Sequence, residues 1–402
     1  MKYIIILGDG MSDRPIKTLG GRTPLMVADI PHIDSLCERG RCGKFVTVPE
    51  GMPPGSAVAN LAVLGYDPAK VFQGRGVLEA ASMGVELEYS DLAMRCNLIC
   101  IEDKKIKNHS AGHISTEESH QLIETLNEQL GSDMMRFYPG VSYRHLFVLK
   151  DGNDAVSCTP PHDVPGTDYT DVLIQATEPA GERTAALLNI LTLRSQEILR
   201  NHPVNLKRIA EGKDPANSVW FWSPGYRPKM KTMTDLYDIK GAVISAVDLV
   251  KGLGIYAGLD VIEVEGATGL YDTNYEGKAQ AAVDALKGDY DFVYLHVEAT
   301  DEAGHEGDVD LKIRTIEYLD NRVVKYIMEQ TSGMPEDVAI AITPDHGTPC
   351  DVRTHVHDPV PFLIYHPGEK PDDVTQYDEN STESGSYGTI KGARFIKELL
   401  RN

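Results

Sequence analysis

The chain has 402 residues, 42% of them hydrophobic and 25% charged, a globular balance long enough for two or three domains rather than one continuous core. Acidic residues exceed basic ones by 60 to 39, a net charge of −21 that repels polyanions and excludes a basic field for nucleic acid or an anionic membrane surface. The six cysteines form no C-x-x-C pair and read as reduced thiols, and no run reaches the ~18 apolar residues of a membrane helix, so a cytoplasmic protein is expected.

In chain order, YIIIL at residues 3–7 is a continuous apolar run that suits a strand buried on both faces. It ends in Gly8-Asp9-Gly10, where the glycines let the backbone turn sharply and present the Asp9 carboxylate, although such tripeptides also make ordinary turns. Ser56 follows Pro53-Pro54-Gly55 and opens an apolar-periodic stretch through Val58, Leu61, Ala62 and Leu64. It reads either as a helix N-cap or as a nucleophile placed where a helix N-terminus favours phosphate.

Residues 91–231 have a different texture, with shorter strand-like pieces (LAMRCNLICI, RHLFVL, SVWFW), amphipathic helices near 117–130 and 183–199, and a proline-rich loop at 158–167. Long helical periods follow at 276–286 and 311–330, separated by the apolar run FVYLHV at 292–297. VAIAIT at 338–343 and FLIY at 362–365 are further buried-strand runs, and residues 372–389, rich in Asp, Ser and Gly, read as a mobile surface loop. The alternation predicts an α/β fold, a mostly parallel sheet flanked by helices. A smaller α+β domain at 91–231 would be inserted between residues 1–90 and 232–402.

Chemistry gathers where the strands end. Asp301 and His305 directly follow FVYLHV, four residues apart, and can converge on one cation from a single helical turn, a salt-bridged pair being the other reading. Asp345-His346 follows VAIAIT, and His355 and His357 come just before Asp358-Pro359. With Asp9 and Ser56 these make a set able to hold two divalent cations beside a serine hydroxyl, along the sheet edge where open α/β folds place their chemistry. Mixed carboxylate and imidazole donors favour Mn²⁺ or Zn²⁺, with Mg²⁺ the remaining candidate. Phosphoryl transfer through a serine is the expected reaction, and the chain has no G-x-x-x-x-G-K-[ST] loop for a nucleotide-dependent kinase.

The order Asp, Ser, Asp-x-x-x-His, Asp-His, His resembles the alkaline phosphatase superfamily. The strings GDGMSDRP, GRTPL, PGSAVANLAVLGYDP, GRGVLEA, RCN, HPVN, DVIEVEGATG, ATDEAGHEGD and DPVPF resemble its archaeal-type cofactor-independent phosphoglycerate mutases over nearly the whole chain. The resemblance implies one metal held by Asp301, His305 and His355, and another by Asp9, Asp345, His346 and the Ser56 oxygen. It favours His355 over His357, since the family histidine sits four residues before the proline that is Pro359 here. It further implies that Ser56 takes the phosphoryl group of 3-phosphoglycerate and returns it to the 2-hydroxyl, with no 2,3-bisphosphoglycerate. A looser resemblance to the longer bacterial mutases points to His113, Arg227 and Lys240 as substrate contacts, with Arg144 and Arg75 as further cations for the substrate carboxylate. Ser110-Ala111-Gly112-His113 and Thr159-Pro160-Pro161-His162 depart from the R-A-G-R and T-D-P-H of archaeal-type relatives. Another small phosphoester, such as homoserine phosphate in threonine biosynthesis, is therefore the second reading. A small phosphorylated substrate is the partner expected, and the sequence leaves the oligomeric state open.

Overall fold

The apolar runs are strands. In the computed structural model, which describes residues 1–401, Lys2–Gly8, Phe292–Val297 and Val338–Thr343 lie side by side at the centre of an eight-stranded sheet. Gly241–Ile244 and Asp260–Val261 extend the sheet beyond Phe292–Val297, all parallel. On the other side come Val360–Tyr365, which runs antiparallel, then Arg41–Val46 and Gly388–Lys391. Ile4, Ile6, Val293, Leu295, Ile340 and Ile342 pack against Ala282, Leu286, Ile316 and Val323 from the covering helices in one buried cluster. Each such side chain contributes roughly 1.5–3 kcal/mol of burial. Because the ladder pairs Gly8 with Val297 and Leu7 with Thr343, the three central strands end level with one another. The residues that follow them therefore emerge at one carboxyl edge.

The chain divides into two compact units, Met1–Phe72 with Lys229 onward, and Gln73–Pro228. The first crossing falls well before residue 90 because the helix Arg75–Ser82 packs on strands Asp91–Glu102 and Ser218–Gly225, not on the large sheet. Gly76 lies so close to the backbone of Arg95 and Ser223 that a Cβ there would come within 2.9 Å of both. The second unit holds a five-stranded antiparallel sheet in which Asp91–Glu102 pairs with Lys105–Asn108, Arg144–Lys150 and Ser218–Gly225, and Met135–Tyr138 pairs with Arg144–Lys150. Its helices Thr116–Leu130 and Glu182–Leu199 match the sequence periods, the first opening on a capping box made by Ser115 and Glu118.

One expectation is corrected. Residues 372–389 do not form a mobile loop: Val374, Tyr377, Asp378, Glu379 and Thr382 are buried, and Glu379 accepts hydrogen bonds from Thr23, Ser12 and the Asp13 N–H. The helical period 311–330 is met by an unbroken helical run over Val309–Tyr318, Leu319–Val324 and Lys325–Thr331, whose middle stretch widens into π-helix, and Asp320 there accepts from the N–H of Ile33. No helix of the described residues is long and apolar enough to cross a membrane.

Candidate metal centre and nucleophile

Asp9 leaves the strand Lys2–Gly8 as the first residue beyond it and is 1% exposed. The turn depends on Gly10, at φ +61°, where a Cβ would collide with the Asp301 carboxylate. Asp9 Oδ2 lies 2.8 Å from His296 Nε2, while Oδ1 has no hydrogen-bond partner and lies 3.4 Å from His346 Nε2. Burial raises the Asp9 pKa well above the ordinary carboxylate range, and the negative charges of Asp345 and Asp301 raise it further.

Ser56 is the first residue of the helix Ser56–Val63, with Gly55 at the N-cap, and its side chain makes no capping bond. That removes the N-cap reading. The hydroxyl instead lies 3.2 Å from His346 Nε2. Asn60, one turn on, donates to the Ser56 carbonyl and to Asp345 Oδ2, both at 2.8 Å, and its own Oδ1 accepts from Tyr294. The helix is thus tied to the sheet edge through the group that orients Asp345.

Asp301 and His305 share one turn of the short helix Ala299–Glu306. His305 Nε2 is 3.2 Å from Asp301 Oδ2 and 3.0 Å from His355 Nε2, which in turn is 3.7 Å from Asp301 Oδ1. The rings of His346 and His355 are 4.1 Å apart at their centroids. Burial pushes the Asp301 carboxyl up, but hydrogen bonds from His305 and His355 outweigh it and hold the group well below its usual range. The same bond to Asp301 lifts His305 to about 9, whereas burial lowers His346. His357 lies apart, with Nε2 on the Met52 carbonyl at 2.8 Å.

A cation fits this donor set better than protons do. Asp301, His346 and His355 form one group and Asp9, Asp345 and His346 another, each with ligand atoms within 4.8 Å of one another. A buried carboxylate oxygen without a donor is costly unless a positive centre lies beside it.

Several groups escaped the sequence reading. His296, fully buried inside FVYLHV, bridges Asp9 to the Ser245 hydroxyl at 3.0 Å. Thr348 donates to Asp301, and Glu298, pushed up to about 8 by burial and then by the Asp301 charge, sits beside the cluster. A histidine in a strand buried on both faces needs a polar partner, so its sequence signal was the one that marked Asp301.

The proposed substrate contacts are scattered. Lys240 precedes the strand Gly241–Ile244, at the sheet edge opposite Asp9, with its ammonium over the Tyr290 ring at 4.8 Å. Strand direction thus removes it from the metal edge. His113, Arg144, Arg75 and Arg227 all belong to the second unit, where Arg227 donates to the Leu87 carbonyl at 3.3 Å. Arg75 and Arg144 lie near Arg95, whose pKa is lowered by burial and further by those two charges, so three guanidinium groups cluster there.

A family model described as 2,3-bisphosphoglycerate-independent phosphoglycerate mutase matches residues 37–205. A protein of that name from Methanosarcina acetivorans is 52% identical over 405 residues, covering all of both chains. Among solved structures, a protein from Pyrococcus horikoshii superposes with a TM-score of 0.84 at 35% identity, covering 100% of this chain and 97% of that one. A cofactor-independent phosphoglycerate mutase from Thermoplasma acidophilum superposes at 0.71 and 29% identity, covering 100% and 99%.

Proposed function

Because this chain belongs to the 2,3-bisphosphoglycerate-independent phosphoglycerate mutase family, we propose that it interconverts 3-phosphoglycerate and 2-phosphoglycerate through Ser56, without a bisphosphoglycerate cofactor. The observation that carries this reading is the Ser56 hydroxyl at the head of its helix, free of any cap and 3.2 Å from His346 in a cluster of three carboxylates and three histidines.

In the first half-reaction, the Ser56 Oγ attacks the phosphorus of the 3-phosphate. The new Ser–O–P bond forms as the P–O bond to C3 breaks, leaving glycerate with a free 3-hydroxyl. In the second, the 2-hydroxyl of that glycerate attacks the phosphoserine and restores Ser56, so atoms and charge balance with no added donor. The helix dipole places partial positive charge where the transferred oxygens gather. Asp301, His305 and His355 would hold one divalent cation, and Asp9, Asp345, His346 and the Ser56 oxygen a second. His346 is close enough to serve either. When bound, such cations lower the serine pKa and neutralise the phosphoryl oxygens, and the donor mixture favours Mn²⁺ or Zn²⁺. The chain's own part is orientation: His296 fixes Asp9, Asn60 fixes Asp345, and Thr348 fixes Asp301.

The test is turnover of 3-phosphoglycerate by the Mn²⁺-loaded protein, without bisphosphoglycerate, followed by ³¹P NMR. Appearance of 2-phosphoglycerate, absent in Ser56→Ala, supports the proposal; inorganic phosphate as the main product, or normal isomerisation by Ser56→Ala, contradicts it.

A further inference from the structure

At the edge of the large sheet opposite the metal cluster, a cavity of about 410 Å³ opens between four segments. Arg41 begins the strand Arg41–Val46, His366 follows the end of Val360–Tyr365, Tyr387 precedes Gly388–Lys391, and Lys397 and Arg401 come from the C-terminal helix and its cap. On a chain of net charge −21 the lining is locally positive: Arg41, Arg394, Lys397 and Arg401 against Glu369 and Glu398. Two of the carboxylates' charges are already met, by Arg401 on Glu369 at 2.7 Å and Arg394 on Glu398 at 3.2 Å. Arg41 spends one N–H on the Ser386 hydroxyl and lies over the Tyr387 ring, and the Lys397 ammonium has no partner among the described residues. Positive charge is left over.

His366 lines the same cavity and is 2% exposed. Its Nε2 faces the Leu399 carbonyl at 2.8 Å, which can only accept, so the proton sits on Nε2 and Nδ1 is left as an acceptor. Nδ1 has no hydrogen bond, and Glu369 Oε2, a second acceptor, stands 3.4 Å away. Burial lowers the His366 pKa, which keeps the ring in this neutral form. Two acceptors facing each other beside surplus cations call for a group that is anionic and also carries an O–H.

We propose that this cavity is a binding site for free inorganic phosphate as the hydrogenphosphate ion, with Arg41 and Lys397 on its anionic oxygens and its P–O–H directed at His366 Nδ1. The site is remote from Ser56, since the strands between the two edges span about 20 Å. Binding there joins the C-terminal helix to the strands Arg41–Val46 and Val360–Tyr365 and leaves the reacting centre untouched.

The proposal is tested by calorimetric titration of the metal-loaded protein at pH 8 with inorganic phosphate, glycerol 3-phosphate and sulfate. Parent protein is compared with Lys397→Glu, at an exposed position, and with Arg41→Met. Both variants should keep the parental melting temperature in phosphate-free buffer and parental mutase activity, because neither residue belongs to the catalytic cluster. The expected result is a phosphate-binding event in the parent that weakens at least about tenfold in each variant, with sulfate, which lacks an O–H at this pH, binding more weakly than phosphate. Glycerol 3-phosphate, whose phosphate is a dianion without a P–O–H at this pH, should bind as weakly as sulfate, and ester binding as tight as that of phosphate would contradict the assigned contact to His366. Affinities equal in parent and variants, sulfate binding as tightly as phosphate, or no binding outside the metal edge would overturn it.

Discussion

Two buried clusters of charge sit within a few residues of each other in the larger unit and follow opposite logic. Around Lys312 everything is matched: the ammonium, fully buried, reaches Asp13 Oδ2 at 2.9 Å, the Ser12 carbonyl at 3.2 Å and the Thr348 carbonyl at 2.8 Å, and Asp13 also accepts from the Cys350 N–H. Around Asp9 and Asp301 the matching is incomplete. Asp345 and Asp301 raise the Asp9 pKa beyond what burial does, and Asp9 Oδ1 is orphaned although His296 meets Oδ2. Thr348 belongs to both, its carbonyl on Lys312 and its hydroxyl on Asp301. The closed cluster holds the fold; the open one is held by the fold, with a carboxylate oxygen left for a partner that the chain does not supply.

The sharpest way to break that contrast is to remove single members of the open cluster and read activity and stability separately. Ser56→Ala and Asp9→Asn should each lower mutase turnover about 10⁴-fold or more. Asp9→Asn should also leave the metal-free protein as stable as the parent or more so, since it removes a buried carboxylate crowded by Asp345 and Asp301 whose Oδ1 has no donor. Urea midpoints together with initial rates decide the matter; a strongly destabilised metal-free Asp9→Asn would place Asp9 with the closed cluster instead. Lys312→Met should do the reverse, costing about 3–5 kcal/mol by leaving Asp13 buried and unpaired, measured as a shift in urea midpoint. A loss near zero would mean that Lys312 is not the structural counterpart described here.

The second unit offers a buried group of a third kind. His145 accepts from the Gly140 N–H through Nδ1 at 3.0 Å, and burial lowers its pKa to about 3 from 6.5. The folded protein refuses a proton that the unfolded chain takes up below pH ~6.5, so its contribution is present above that pH and lost on acidification towards pH ~3, at roughly 1.4 kcal/mol per pH unit. Between pH ~7 and ~4.5 the second unit should lose about 2–3 kcal/mol from this source, and His145→Gln, which keeps an acceptor, should show a correspondingly flatter pH profile in denaturant melts. An unchanged profile would contradict it. The smallest effects separate two histidines near the metal edge. His296→Asn should weaken metal affinity roughly 10–100-fold by freeing the Asp9 carboxylate, and His357→Ala should leave it unchanged, both read by competition with a chelating dye; equal losses would return His357 to the site.

Much of this was legible before any coordinates. Asp9, Asp301 and Asp345-His346 each follow an uninterrupted apolar run, and parallel strands of equal length bring such ends together. His355 over His357 came from the family resemblance; in the fold the His355 ring lies 4.1 Å from that of His346, tilted by 41°, and His357 turns to Met52. What stayed hidden depends on contacts distant in sequence. Lys240 stands in a motif, but only strand polarity reveals that it lies at the wrong edge. The polar composition of 372–389 conceals that Glu379 is buried against Thr23 and Asp13, and the apolar face of 75–82 does not say which of two sheets it will cover. His296 was hidden inside a hydrophobic run because its partners, Asp9 and Ser245, are far from it in sequence.

The account rests on a dinuclear edge beside Ser56, and anomalous diffraction from Mn²⁺-loaded crystals measures it directly. It predicts two manganese peaks, one among Asp301, His305 and His355 and one among Asp9, Asp345 and His346, with the Ser56 Oγ within about 4 Å of the second. A single peak, or metal bound away from these side chains with Ser56 out of reach, would contradict it.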